Sequence, residues 1–200
     1  MRPVAHWKSR GWLPDEVARA LIDGFAPRGD VLELACGPGT STTHLARHAS
    51  TLTLVDGSAR MLDRAREAIG AEHATFMEAD IFDWEPDRRY DVVFFSAWLS
   101  HVPDDRFEEF WRLVRRCLRP GGRVGFLDED DRGAVNDEVS MVDGVPVATR
   151  TLADGRTFDI VKVFWHPAAL ERRLTEMGWT ISVRPVDESY LFGTGTTGTA

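Results

Sequence analysis

VLELACGPGT, residues 31–40, is the stretch on which the reading of this chain turns. The apolar run Val31-Leu32 and Leu34 is interrupted by an acid, Glu33, and gives way to Ala35, Cys36 and two glycines around a proline, Gly37-Pro38-Gly39. A short apolar run bounded by a glycine turn predicts a buried strand that ends on that turn. Gly37 and Gly39 let the backbone pass close to a ligand where a Cβ would clash. A turn of this kind after a first strand, opening a helix, suits a nucleotide-like ligand.

Reading outward, strand-like and helix-like stretches alternate. LPDEVARALIDGF (13–25) places Val17, Leu21, Ile22 and Phe25 on one helical face, with Pro14, Asp15 and Glu16 as start signals. Strands are predicted over 30–35, 51–56, 74–80, 90–97 and 123–130, and helices over 40–49, 58–69 and 104–118, the last stopped by Pro120-Gly121-Gly122. Single helices between strands imply a parallel sheet covered on both faces. The expected fold is α/β: one Rossmann-like, doubly wound, mostly parallel seven-stranded sheet. Ligands of such sheets bind at the carboxyl ends of the strands, near the switch in strand order. Glu33, Asp56, Asp80 and Ser96 all fall at such ends and are expected to form one polar rim.

After residue 130 the pattern changes. Residues 131–144 are polar and read as a loop. VPVATRTLADGRTFDIVKVF reads as two strands joined at Asp154-Gly155, a hairpin addition over 145–164. A helix follows over 166–178, then a pair of strands over 179–195, and a Gly/Thr-rich tail at 194–200 that reads as frayed. There is no internal repeat and no dividing linker, so residues 1–200 are expected to form one domain, with 1–13 a lid segment.

Composition bounds the function. The chain is 43% hydrophobic and 28% charged, as in an ordinary globular domain. No apolar run approaches the roughly 20 residues of a membrane span, and MRPVAHWKSRGWLPDE lacks the apolar segment of a signal peptide. A cytoplasmic protein with no membrane partner is therefore expected. The net charge of −8 disfavours a partner recognised through a nucleic-acid backbone. Cys36 and Cys117 are too few for a disulfide framework and read as packing residues.

Two readings of the glycine turn compete. A dinucleotide fold wants a third glycine where this chain has Thr42, and Glu33 would repel a pyrophosphate. An acid at that place suits a cationic amino-acid group instead. In this respect ELACGPG resembles the first motif of the class I S-adenosylmethionine-dependent methyltransferases, with Ala35 in place of the usual first glycine. LVDGSARML, EADIFDW and LRPGGRVGF follow in the family's order. The resemblance spans roughly residues 28–130. It implies S-adenosyl-L-methionine as cofactor, with Glu33, Ala35, Gly37 and Gly39 at its amino-acid end. It implies Asp56, with Gly57 and Met61 beside it, on the ribose hydroxyls. It also implies Asp80 on the adenine amino group, Ile81 against the ring, and Ser96 on the same rim. The reaction implied is methyl transfer to a small-molecule acceptor, expected at a hydroxyl or carboxylate oxygen; nitrogen or carbon acceptors stay open. A nicotinamide-dependent oxidoreductase and a non-catalytic partner subunit of the same fold are the rivals, and the chain is expected as a monomer or homodimer.

The acceptor side is expected in FFSAWLSHVPDDRF, which leaves the fourth strand over the rim. His101 is the candidate base; the alternative is that it caps or packs beneath the helix starting near Asp104. Trp98 is expected to wall the acceptor, or else to pack in the core. Trp7 and Trp12 are expected in the lid and Trp165 beside the same pocket, with core packing and a helix start as their alternatives. Arg150, Arg156 or Lys162 would pair with an acceptor carboxylate. The acids of LDEDDR (127–132) lack a partner acid after the fourth strand, so no metal is expected and they read as a solvated loop.

Overall fold

The computed structural model describes residues 13–136, 139–151, 155–187 and 189–198. Trp7 and Trp12, nearly all of the expected lid, the hairpin tip at Asp154 and the last two residues lie outside them. The elements in chain order are α1 (Asp15–Phe25), β1 (Gly29–Leu34), α2 (Thr42–Leu45), β2 (Ala49–Asp56), α3 (Ala59–Ile69), β3 (Thr75–Glu78), β4 (Tyr90–Ser96), α4 (Phe107–Cys117), β5 (Leu118–Glu129), β6 (Val139–Val142), β7 (Val145–Thr151), β8 (Thr157–Val161), α5 (Pro167–Glu176), β9 (Trp179–Val186) and β10 (Tyr190–Thr197).

Seven strands form one sheet in the order β3-β2-β1-β4-β5-β10-β9. The first five run parallel, and β10 lies antiparallel between β5 and β9. This is the mostly parallel Rossmann-like sheet that the alternating pattern predicts. Strand order reverses between β1 and β4, which places the glycine turn at the crevice where such sheets bind ligands.

Both faces are buried, and the side-chain period of two sorts them. Leu32 and Leu34 of β1 join Val93 and Phe95 of β4 under α4 and α5. Val31, Val92 and Phe94 point the other way, into a layer formed by Ala18, Ile22 and Phe25 of α1 and Leu62 and Ala65 of α3. The first layer centres on aromatic rings: Phe95 stacks on Phe126 at 5.3 Å, with Phe110 and Trp111 edge-on to Phe95 at 5.0 and 5.8 Å.

Several boundaries differ from the sequence expectation. Helix α2 covers only 42–45, because Thr and Ser make a poor helix and their side chains find other partners here. Strand β5 begins at Leu118, so Pro120-Gly121-Gly122 lies inside it, beside a register shift against β4. The polar stretch 131–144 is not a loop: it contains a 3-10 helix over Asp131–Asn136 and the strand β6. Asp143 and Gly144 both have positive φ (50° and 80°), the turn that a two-residue hairpin needs. The expected hairpin is therefore a separate three-stranded sheet, β6-β7-β8. The tail pairs along β9 as far as Thr197, so it is strand where fraying was expected. No described helix is long and apolar enough to cross a membrane.

Gly193 is where β10 crosses the aromatic layer. A Cβ there would lie 2.0 Å from the Phe126 ring, which is itself locked by Phe95 and Trp111. Gly193→Ala should therefore destabilise the fold by about 2 kcal/mol or more. The urea midpoint measures this; an unchanged midpoint would remove the close approach from the account.

Candidate functional site

The site is built where β1, β2 and β4 end. Glu33 sits between Leu32 and Leu34 but points into the α1–α3 layer, where it is 1% exposed. One carboxylate oxygen, Oε2, accepts a bond from the Thr42 hydroxyl at 2.6 Å, and the other has no hydrogen-bond partner among the described residues. Burial raises the acid to about 8; the Thr42 bond opposes this and the nearby Asp56 charge adds to it. A buried carboxylate with an unpartnered oxygen is costly unless a donor or cation meets it. It therefore fits a cationic group placed at the turn.

The turn follows from the backbone. Ala35 (φ 52°) and Gly37 (φ 56°) are both left-handed, as is Ala97 (φ 48°) just past β4. A left-handed alanine costs roughly 1–2 kcal/mol, so both strand ends at the switch point are held bent by their surroundings. Gly37 donates its N–H to Asp56 Oδ2 at 2.8 Å, and Asp56 Oδ1 accepts Ser58 N–H at 2.9 Å. Asp56 thus ties the end of β2 to the turn after β1, and each oxygen keeps a further lone pair. Gly37 has open space where a Cβ would be, as a ligand approach requires. Gly39 differs: a Cβ there would meet Ala65 Cα of α3 at 3.0 Å, so it serves helix packing.

The other rim residues follow in order. Ser96 Oγ bonds Ser41 Oγ at 2.9 Å, linking the end of β4 to the glycine turn. Ala79 donates its N–H to the Asp56 carbonyl at 3.1 Å, which brings the Asp80 segment beside Asp56. Asp80 is exposed, and its Oδ1 accepts Phe82 N–H at 2.9 Å. Gly57 faces the Ala79 carbonyl, and Met61 is half-buried in the first turn of α3. Ile81, expected against a ring, is instead 3% exposed within the core.

On the acceptor side, Trp98 lies 6.1 Å from the Phe82 ring and 6.3 Å from Phe110, so it joins the loop after β4 to the Asp80 segment. Its indole nitrogen is buried without a partner among the described residues, as is that of Trp165. Trp165 rests on Phe107 at 4.8 Å and under the Arg173 guanidinium. The N-cap of α4 is Arg106, so His101 does not cap it. Its ring Nδ1 bonds the Val161 carbonyl of β8 at 2.8 Å. A carbonyl only accepts, so Nδ1 carries the proton and Nε2 is left as the basic nitrogen. Burial, with the Lys162 charge second, holds the imidazole below its ordinary pKa.

Two expectations fail here. Lys162 is not a free cation for an acceptor carboxylate: it is 4% exposed and paired with Glu129. The acids of 127–132 are not a solvated loop: Asp128 and Glu129 end β5, and Asp130 follows it. Asp128 (1% exposed) accepts N–H groups of Ser100 and Glu129, and Asp130 (0%) is held by Arg132. Thr42, Ser41 and Asp128 are the site residues that sequence reasoning missed. In the sequence Thr42 stands out only as a missing glycine, although it is a polar residue opening the helix directly after the glycine turn, nine residues past a buried acid. A surface groove of about 510 Å³ between α1 and β9–β10, lined by Leu21, Phe25, Arg123, Arg184 and Phe192, shares no residue with this rim. The converging polar groups, not cavity size, locate the site.

A family model described as a methyltransferase domain matches residues 31–122. The chain belongs to the class I S-adenosylmethionine-dependent methyltransferases. The DhpI protein of a DhpI–SAH complex is 45% identical to it, covering 93% of this chain and 86% of that one, with a TM-score of 0.79. In a DhpI–SAM–HEP complex the figures are 44%, 92%, 88% and 0.81. Trans-aconitate 2-methyltransferase of Escherichia coli O139:H28 is 39% identical over 94 residues, 46% of this chain and 36% of that protein, so the match spans about a third of this curated relative.

If Glu33 meets the cofactor's amino group, capture should be pH-dependent. Free, it is protonated below about pH 8; facing a cationic amino group it must ionise. Binding of S-adenosylhomocysteine should then release close to one proton at pH 7, strengthen as pH rises toward 8, and level off above it. Calorimetry in buffers of different ionisation enthalpy reads the proton directly. Binding without proton release at pH 7 would contradict this.

Proposed function

We propose that this chain methylates an oxygen of a small-molecule acceptor, with His101 as the general base. The observation that carries the reading is the bond from His101 Nδ1 to the Val161 carbonyl, which leaves a neutral imidazole with Nε2 as its only basic nitrogen. S-Adenosylmethionine supplies an electrophilic methyl group on a sulfonium. Glu33 would take its amino group, Gly37 the close backbone approach, Asp56 the ribose hydroxyls and Asp80 the adenine amino group. Gly57, Met61 and Ser96 would border it. Trp98 would exclude water from the transfer, and His101 Nε2 would accept the proton of a hydroxyl as oxygen attacks.

The net charge of −8 supports a small acceptor over a nucleic acid. A second reading, a carboxylate acceptor that needs no base, is favoured by the name of the Escherichia coli relative. Transfer of labelled methyl from S-adenosylmethionine into panels of small hydroxy compounds and carboxylic acids separates them. An alkali-stable ether is expected, with His101→Ala lowering turnover by about 10²-fold or more at unchanged S-adenosylhomocysteine affinity. An alkali-labile ester at normal turnover in His101→Ala would select the carboxylate reading. Label on nitrogen or carbon would overturn both.

A further inference from the structure

The loop that carries His101 is held from two sides. From β5, the Asp128 carboxylate accepts Ser100 N–H at 3.2 Å. From the small sheet, the Val161 carbonyl accepts His101 Nδ1–H at 2.8 Å, and Val163 donates its N–H to the Ser100 carbonyl at 2.8 Å. Between Val161 and Val163 lies Lys162, whose ammonium is buried. It pairs with Glu129, donates to Ser100 Oγ at 3.3 Å and lies 5.1 Å from the centre of the Phe164 ring. Burying a lysine is costly even when it is paired, and a pair of apolar residues would fill the same space. Lys162 borders both neighbours of the histidine: Ser100 in its own loop, and Val161, whose carbonyl accepts the hydrogen bond from Nδ1–H.

We propose that Lys162 is a positioning residue for His101: through Ser100 and the β8 backbone it fixes the imidazole as the Nδ1–H tautomer, with Nε2 as the nitrogen that accepts the acceptor's proton. The proposal rests on the reading of His101 as the base. The charged groups facing the ring are Lys162, one residue past β8, and Asp128 and Glu129 from β5. Burial and Lys162 both disfavour the imidazolium, whereas the Val161 bond and the two acids favour it. Without Lys162 the ring would stand beside two acids with no ammonium opposing them, and its imidazolium form would be favoured more than in the native chain. Glu129 in turn makes the buried ammonium tolerable and aims it at Ser100.

Long-range proton–nitrogen spectra of the histidine side chains, followed through a pH titration of the whole chain, test this without an acceptor. In the native chain His101 should show the Nδ1–H tautomer and titrate below the ordinary histidine range. Lys162→Met should raise its midpoint by roughly half a pH unit or more, about a threefold change in proton affinity. Glu129→Gln should lower the midpoint, and Lys162→Arg should restore it. A residue that only packs the fold would not produce shifts of opposite sign. If Lys162→Met does not fold, Glu129→Gln and Lys162→Arg decide alone. An unmoved midpoint and tautomer in folded variants overturn the proposal. Loss of turnover in His101→Ala together with such unmoved titrations would defeat the role of Lys162 and spare that of His101.

Discussion

The buried carboxylate of Glu33 is the constraint around which the cofactor side is arranged. An acid at the end of a central strand, 1% exposed and with one oxygen unpartnered among the described residues, is costly to bury. Its neighbours share the cost. Thr42 gives it one bond, and Asp56 draws the glycine turn over it through Gly37. The left-handed Ala35 bends the strand end so that this turn can form. The core supplies the rigidity: β1 is paired on both sides, and Val31, Leu32 and Leu34 are each 0% exposed.

Around His101, where we place the acceptor, the logic differs. The charged groups beside the ring are paired with one another, and in our proposal they orient it. Asp128, Ser100, Lys162, Glu129 and the Val161 carbonyl form one connected set around His101. That set joins the end of β5, the loop after β4 and the end of β8. The small sheet is therefore more than decoration on the edge of the fold: it supplies the carbonyl that settles which nitrogen of the histidine is basic.

Legibility in the sequence tracks the range of the interactions. The parallel sheet and the rim of Glu33, Asp56, Asp80 and Ser96 were readable because strand ends and glycine turns are local signals. Strand β6 was missed although Asp143-Gly144 carries the same hairpin signal as the Asp-Gly pair that was read at 154–155; the surrounding polar residues masked it. The burial of Lys162 and Asp128 is not legible, because Lys162 pairs with Glu129 and Asp128 accepts Ser100 N–H across long stretches of chain; Asp130 has a local partner in Arg132, but nothing local marks its burial. Gly39 and Ile81 point the same way. Both stand in the motif, but tertiary packing against α3 and the core fixes their roles. Trp7 and Trp12 fall outside the described residues, so the lid stays an expectation from sequence.

The central claim is that the turn over Glu33 receives S-adenosylmethionine and not a dinucleotide. Calorimetric titration of the chain at pH 8 with S-adenosylhomocysteine, with NADH as the matched control, tests it most directly. The account predicts saturable one-to-one binding of S-adenosylhomocysteine, weakened by Glu33→Gln, and no binding of NADH. Binding of NADH, or S-adenosylhomocysteine binding indifferent to Glu33→Gln, would contradict it.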